Sequence, residues 1–183
     1  MTTPRIPLVD PATAQGRTRE LLSAVEKKLG RVPNITRALA QSPAALDGYL
    51  QWSAALSTAS LPPRVREQIA LTVGEANGCD YCLSAHSQIG ASQGLSPQQI
   101  VAARHASADD ARTKAILTLA RELVVRRGEL RDADLRAARA AGVGDGEIVE
   151  VIALTALNIF TNYFNHVANP PIDFPVVRAG DAT

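Results

Sequence analysis

Both cysteines of the chain stand in one short stretch, Gly78-Cys79-Asp80-Tyr81-Cys82-Leu83-Ser84-Ala85-His86. Cys-x-x-Cys spacing spans about one helical turn, so the two sulfurs can meet and close a disulfide. A thiol attacks only as its thiolate. A helix starting at Cys79 would help, because unpaired N–H groups and the helix dipole stabilise negative charge there. His86 follows Cys82 at i+4, on the same helical face, where it can accept or relay the Cys82 proton. Glu67, twelve residues before Cys79, can complete the relay if its helix folds back on the next. The chemistry these residues suit is thiol redox.

Two rival readings use the same residues. Zinc could be held by Cys79, Cys82, His86 and a carboxylate, although the chain has no second Cys-x-x-Cys. Both cysteines could also be inert core residues. A thioredoxin-type site would need a βαβ context, which the pattern lacks. Tyr81 lies between the thiols, and Glu75 stands just before them; both are candidates for the pocket or the relay, with Glu75 reading more naturally as a surface or interface carboxylate. His166 is a third candidate, or a cationic cap on its own helix C-terminus. His105 follows a helix end and is expected to face solvent.

The elements that must position this stretch read as helices throughout. Asp10-Pro11 is expected to start a helix to about Leu29, with Leu21, Leu22, Val25 and Leu29 inward and Gly30 as its stop. A short helix opens at Val32-Pro33-Asn34. Ser42-Pro43 caps the next, where Trp52 is expected in the core. From Pro63 to about Asn77 the apolar face is Val65, Ile69, Thr72, Val73 and Ala76. Glu67, Gly74 and Gly78 share a stripe that would admit a close neighbour. Cys79 opens a helix ended by Gly94, and Ser96-Pro97 caps another. Asp109 or Asp110, Asp132 and Glu147 open the last three. Val149–Phe160 is nearly apolar all round, which suggests burial on both sides. No strand pattern and no short repeat is found.

The fold class expected is therefore all-α, in a single domain of 183 residues with an extended arm over residues 1–9. Alanine is abundant and aromatics are scarce, which favours helices packed closely on helices. The net charge of +1 is interspersed, so no nucleic-acid footprint is expected. The start lacks the apolar core of a signal peptide, and no apolar run is judged long enough to span a bilayer. The expected compartment is the cytoplasm, where a Cys-x-x-Cys pair is more often redox-active or metal-binding than a staple.

Glu67, Cys79-Asp80-Tyr81-Cys82 and His86 together resemble the Glu-x11-Cys-x-x-Cys-x3-His signature of the AhpD-like branch of the carboxymuconolactone decarboxylase family. The wording of Arg64-Val65-Arg66-Glu67-Gln68-Ile69-Ala70-Leu71 and Glu75-Ala76-Asn77-Gly78 is similar too, and the core match covers about residues 45–105. The resemblance implies an AhpD-like helical bundle that assembles as a homo-oligomer, a trimer or a hexamer. It implies a peroxidase in which Cys82 attacks a small hydroperoxide, Cys79 resolves the sulfenic acid, and Glu67 and His86 pass the protons. No bound cofactor is implied. An external dithiol, such as a lipoyl group on a carrier protein, would reduce the enzyme again. One departure stands out: Tyr81 occupies the place of a histidine in the best-known members, and a phenol is a poor base near neutral pH. Decarboxylase members lack the dithiol, so lactone decarboxylation is disfavoured. The alternatives are a protein or lipoamide disulfide reductase and a zinc-stabilised interaction module without turnover.

Overall fold

Among the described residues, 3–181, the computed structural model holds nine helices and no strand. They are α1 (Gly16–Leu29), α2 (Asn34–Leu39), α3 (Pro43–Leu56), α4 (Pro63–Ala76), α5 (Asp80–Ser92), α6 (Pro97–Arg104), α7 (Ala111–Val125), α8 (Asp132–Ala140) and α9 (Asp145–Ala168). Local chemistry sets most of these bounds. Ser42, Ser96 and Asp110 accept hydrogen bonds from Ala45, Gln99 and Thr113 N–H groups at the starts of α3, α6 and α7. Asn169 ends α9 in the left-handed conformation, just before Pro170-Pro171.

α4 is the centre of the molecule and packs against α5, α6, α7 and α9. Its Ile69, Leu71 and Val73 are fully buried with Ile116 and Leu117 of α7 and Val151 of α9. A second, smaller core joins Leu21, Leu22, Ile35, Leu39 and Leu46 of α1–α3 to Cys79, Tyr81 and Cys82. The dithiol therefore sits where the N-terminal helices close over the start of α5.

The reversal from α4 into α5 depends on Gly78, whose φ of +67° suits glycine, and on a bond from Cys79 N–H to the Gly74 carbonyl at 2.9 Å. The expected glycine stripe is only partly a packing device. A Cβ on Gly74 would lie 3.7 Å from that of Cys82, whereas one on Gly78 would meet nothing within 4 Å. The neighbour that admits Glu67 is instead Gly90 of α5, where a Cβ would stand 3.8 Å from the Glu67 Cβ.

Several expectations are corrected. α1 begins at Gly16 rather than Asp10, because Asp10 closes a turn, accepting from Ala12 N–H on its side chain and from Thr13 and Ala14 on its carbonyl. Leu29 is exposed at the end of α1, and Trp52 is 38% exposed rather than in the core. α9 has 24 residues and is long and apolar enough to cross a membrane by length and composition, contrary to the expectation from its apolar run alone. It is not apolar all round: Thr155, Asn158, Asn162 and Asn165 form a buried polar row toward the protein interior. Val149, Ile152, Phe160, Tyr163 and Val167 form an exposed apolar stripe on another side. The first two residues of the N-terminal arm lie outside the described residues; the rest is tied down, with Arg5 and Ile6 N–H groups on the Ala168 carbonyl.

The chain after α9 runs as a strap along the first turns of α5. Val177 N–H donates to Ser84 Oγ at 2.9 Å, Ala179 N–H to Asp80 at 2.9 Å and Gly180 N–H to Glu75 at 2.7 Å.

Candidate active site

Cys79 is the N-cap of α5, and its sulfur accepts from the Cys82 N–H. Cys82 lies inside the first turn. Both are free thiols, buried, with their sulfurs 2.7 Å apart. That contact is a Cys79 S–H donated to the Cys82 sulfur. It lowers the Cys82 pKa most; burial opposes it, and the charge of His86 and the amides of Asn165 and Asn162 lower it further, to about 7. Cys79 is driven strongly upward by the same hydrogen bond, by burial and by the neighbouring charge. Cys82 is therefore the more acidic thiol, ionised in part near neutral pH, and Cys79 holds its proton, the division of labour a nucleophile and a resolving thiol need.

His86 Nδ1–H donates to Glu67 Oε2 at 2.8 Å, joining α5 to α4. Both side chains are half-buried. Burial lowers the His86 pKa, but the charge and hydrogen bond of Glu67, with the charge of Cys82, outweigh it and the net direction is up. A cationic imidazole beside the thiolate can return a proton to a leaving oxygen.

Three residues at this site had no sequence signal of their own. Asn165 Nδ2 donates to Cys82 Sγ at 3.2 Å. Asn162 is fully buried; its Oδ1 accepts from Asn77 Nδ2 at 2.8 Å, and its own Nδ2 has no hydrogen-bond partner among the described residues. Their spacing with Asn158 on α9, i, i+4 and i+7, is the pattern that would have revealed one polar face. Tyr49 of α3 also lines the cleft, and its phenol is pushed up to about 12, by burial first and then by Cys82 and Glu67. The alkylation rate of Cys82 by iodoacetamide is expected to rise with pH through a midpoint near 7. In Asn165→Leu one charge-assisted donor is lost, so the midpoint should move up and the rate at pH 7 fall about three- to tenfold.

Tyr81 lines the same cleft, but its hydroxyl faces the strap rather than the thiols. Its hydroxyl donates to Asp173 at 2.7 Å and accepts from Ile35 N–H at 3.1 Å, and burial followed by Asp173 raises its pKa far above the usual range. Its proton is thus committed outside the relay. Asp173 also takes the Arg31 guanidinium and, at 3.0 Å, the Asn34 N–H. Phe174 stands edge-on to Tyr81 and beneath Arg31. Asp173→Ala leaves the buried Tyr81 hydroxyl and the Arg31 charge without this partner. It should cost about 2–3 kcal/mol in the urea unfolding free energy.

The remaining sequence candidates lie elsewhere. Glu75 pairs with Arg104 at 2.7 Å and holds the strap, and it does not line the cleft of the thiols. His166 is exposed in the last turn of α9 while its neighbour Asn165 points inward. Two thiolates on tetrahedral zinc at about 2.3 Å would hold their sulfurs about 3.8 Å apart. The two sulfurs here stand closer than that, at 2.7 Å. No group of three or more His, Cys, Asp or Glu side chains among the described residues is placed to hold a metal ion.

Cys82, His86 and Glu67 open onto a cleft of about 690 Å³ between α1, α3, α4, α5 and α9. The family model of the carboxymuconolactone decarboxylase family matches residues 37–124. The chain is similar to the crystal structure of a peroxidase-related protein from Ralstonia eutropha JMP134, described as an alkylhydroperoxidase AhpD core. The two are 25% identical over 94% of each chain, with a TM-score of 0.85. A peroxidase-related protein from Silicibacter sp. TM1040 is 25% identical over the whole of both chains, with a TM-score of 0.79. The debrominase Bmp8, in complex with 2,3,4-tribromopyrrole, shares the fold at 19% identity over 94% of this chain and 93% of its own, with a TM-score of 0.79. A search of curated protein sequences gives no match.

Proposed function

The chain belongs to the AhpD-like branch of the carboxymuconolactone decarboxylase family, and on that footing we propose that it reduces hydroperoxides through the Cys79/Cys82 dithiol. The observation that carries this reading is the 2.7 Å thiol pair at a helix N-terminus, beside the Glu67–His86 ion pair. The Cys82 thiolate attacks the terminal oxygen of the hydroperoxide. The O–O bond breaks, Cys82 becomes a sulfenic acid, and the alkoxide takes the His86 proton and leaves as an alcohol. Cys79 then gives its proton to the relay, and its sulfur attacks Cys82. The S–O bond breaks, hydroxide leaves as water with a proton from the relay, and a disulfide remains. An external dithiol, free or on a lipoyl carrier protein, would reduce that disulfide to two thiols as it becomes a disulfide itself.

The test is a thiol count on reduced protein before and after one equivalent of an organic hydroperoxide. Loss of both thiols in the parent, with a trappable sulfenic acid in Cys79→Ser, is the expected result. Thiols that persist under hydroperoxide yet are lost to oxidised lipoamide would replace this reading with a disulfide reductase. The proposal includes a cytoplasmic setting, where a free dithiol stays reduced, and a homo-oligomer, trimer or hexamer, supported by the exposed apolar stripe on α9.

A further inference from the structure

The cleft is much larger than the small peroxides need. At about 690 Å³ it equals roughly twenty water molecules at about 30 Å³ each. Its walls are mostly aliphatic and aromatic, among them Val25, Ile35, Leu50, Leu157 and Phe174. Its charged lining residues are Lys28, Arg31, Arg66, Glu67 and His86. Among the described residues Glu67 is the sole acidic one lining it, and it lies with Cys82 beside the reacting atoms. Lys28 is exposed at the end of α1 and has no acidic partner among the described residues. Arg66 is half-buried, and its guanidinium donates to the Ala59 and Leu61 carbonyls, so its charge is uncompensated. Arg31 is neutralised by Asp173.

We propose that the cleft takes amphiphiles with a long apolar body and an anionic head, such as the hydroperoxides of long-chain carboxylic acids. The inference rests on the hydroperoxide-reductase reading for its reaction, but not for its binding. Within, the Glu67 charge is balanced by His86, so it is the thiolate that repels a carboxylate, while Lys28 and Arg66 attract it, and the head stays away from Cys82. The chain fills the apolar walls, and a hydroperoxide group part-way along it is presented to Cys82. Repulsion within and attraction outside together fix the direction of entry.

Titration calorimetry with sodium dodecanoate and with dodecan-1-ol, at low salt and below micellar concentrations, reads the binding without turnover. The acid is expected to bind about five- to tenfold more tightly, the worth of one or two partly exposed ion pairs. The gap should shrink with added salt. It should close in Arg66→Gln and reverse in Lys28→Glu, whose exposed position leaves the fold undisturbed even if Arg66→Gln loosens the loop before α4. The KM values of linoleic acid hydroperoxide and its methyl ester should differ in the same sense. Equal binding of acid and alcohol, a gap that survives both substitutions, or binding of neither ligand would overturn the proposal. Binding with the expected preference but no hydroperoxide consumption would leave this ligand class standing and remove the reductase reading. Consumption without preference would do the reverse.

Discussion

Cys82→Ser is expected to abolish hydroperoxide consumption, with a loss of about a thousandfold or more, because a serine hydroxyl is not ionised near neutral pH and its oxygen is a poor nucleophile toward the O–O bond. Steady-state consumption of cumene hydroperoxide with a dithiol reductant measures it, and circular dichroism checks that the fold is kept. Cys79→Ser should behave differently. In that variant the serine hydroxyl can still donate to Cys82 Sγ, so the first attack is kept. It still forms a sulfenic acid, but no thiol lies 2.7 Å away to capture it. Repeated exposure should then carry Cys82 to the sulfinic acid, visible by mass spectrometry. Equal activity in Cys82→Ser and the parent would show that the thiol pair is structural.

Glu67→Gln is expected to lower turnover at pH 7 by about a hundredfold, the usual worth of a positioned proton-transfer group. The direction follows from the balance at His86, where burial alone would lower the pKa and Glu67 is the main opposing influence. Without the carboxylate the His86 pKa falls, so less imidazole carries the proton the leaving alkoxide needs, and its charge lowers Cys82 less. The activity midpoint should therefore move to higher pH, where the thiolate forms without help. A merely structural Glu67 would lower activity without moving the pH profile. Glu67→Asp, which keeps the charge but shortens the reach, should fall between the parent and Glu67→Gln.

Features governed by near neighbours were legible in the chain. The Ser42, Ser96 and Asp110 caps involve partners three residues away. Glu67 and His86 could be foreseen as facing groups because two helices joined at Asn77-Gly78 fold back on each other, and the structure brings them to 2.8 Å. Asp10 misled because a capping side chain followed by proline suits a turn as well as a helix, and nothing local distinguishes them. Trp52 misled because bulk says nothing about whether another element covers the residue. Asn165 and Asp173 were illegible for a different reason. They meet Cys82 and Tyr81 across 83 and 92 residues, and an asparagine in an apolar helix or an aspartate in a tail has no periodicity that names its partner. Tyr49 carries no local signal either, since its phenol meets the cleft through tertiary packing alone.

That separation also orders events during synthesis. The ribosome makes both thiols with α5, yet Asn162, Asn165 and Asp173 emerge some 80–90 residues later. At about 5–20 residues per second, the dithiol waits several seconds without the amides that stabilise its thiolate and without the strap. Throughout that interval only its neighbours on α5, Cys79 and His86, are present to lower the Cys82 pKa. The full set of groups around the thiolate is thus assembled only when the last helix and the strap have been made.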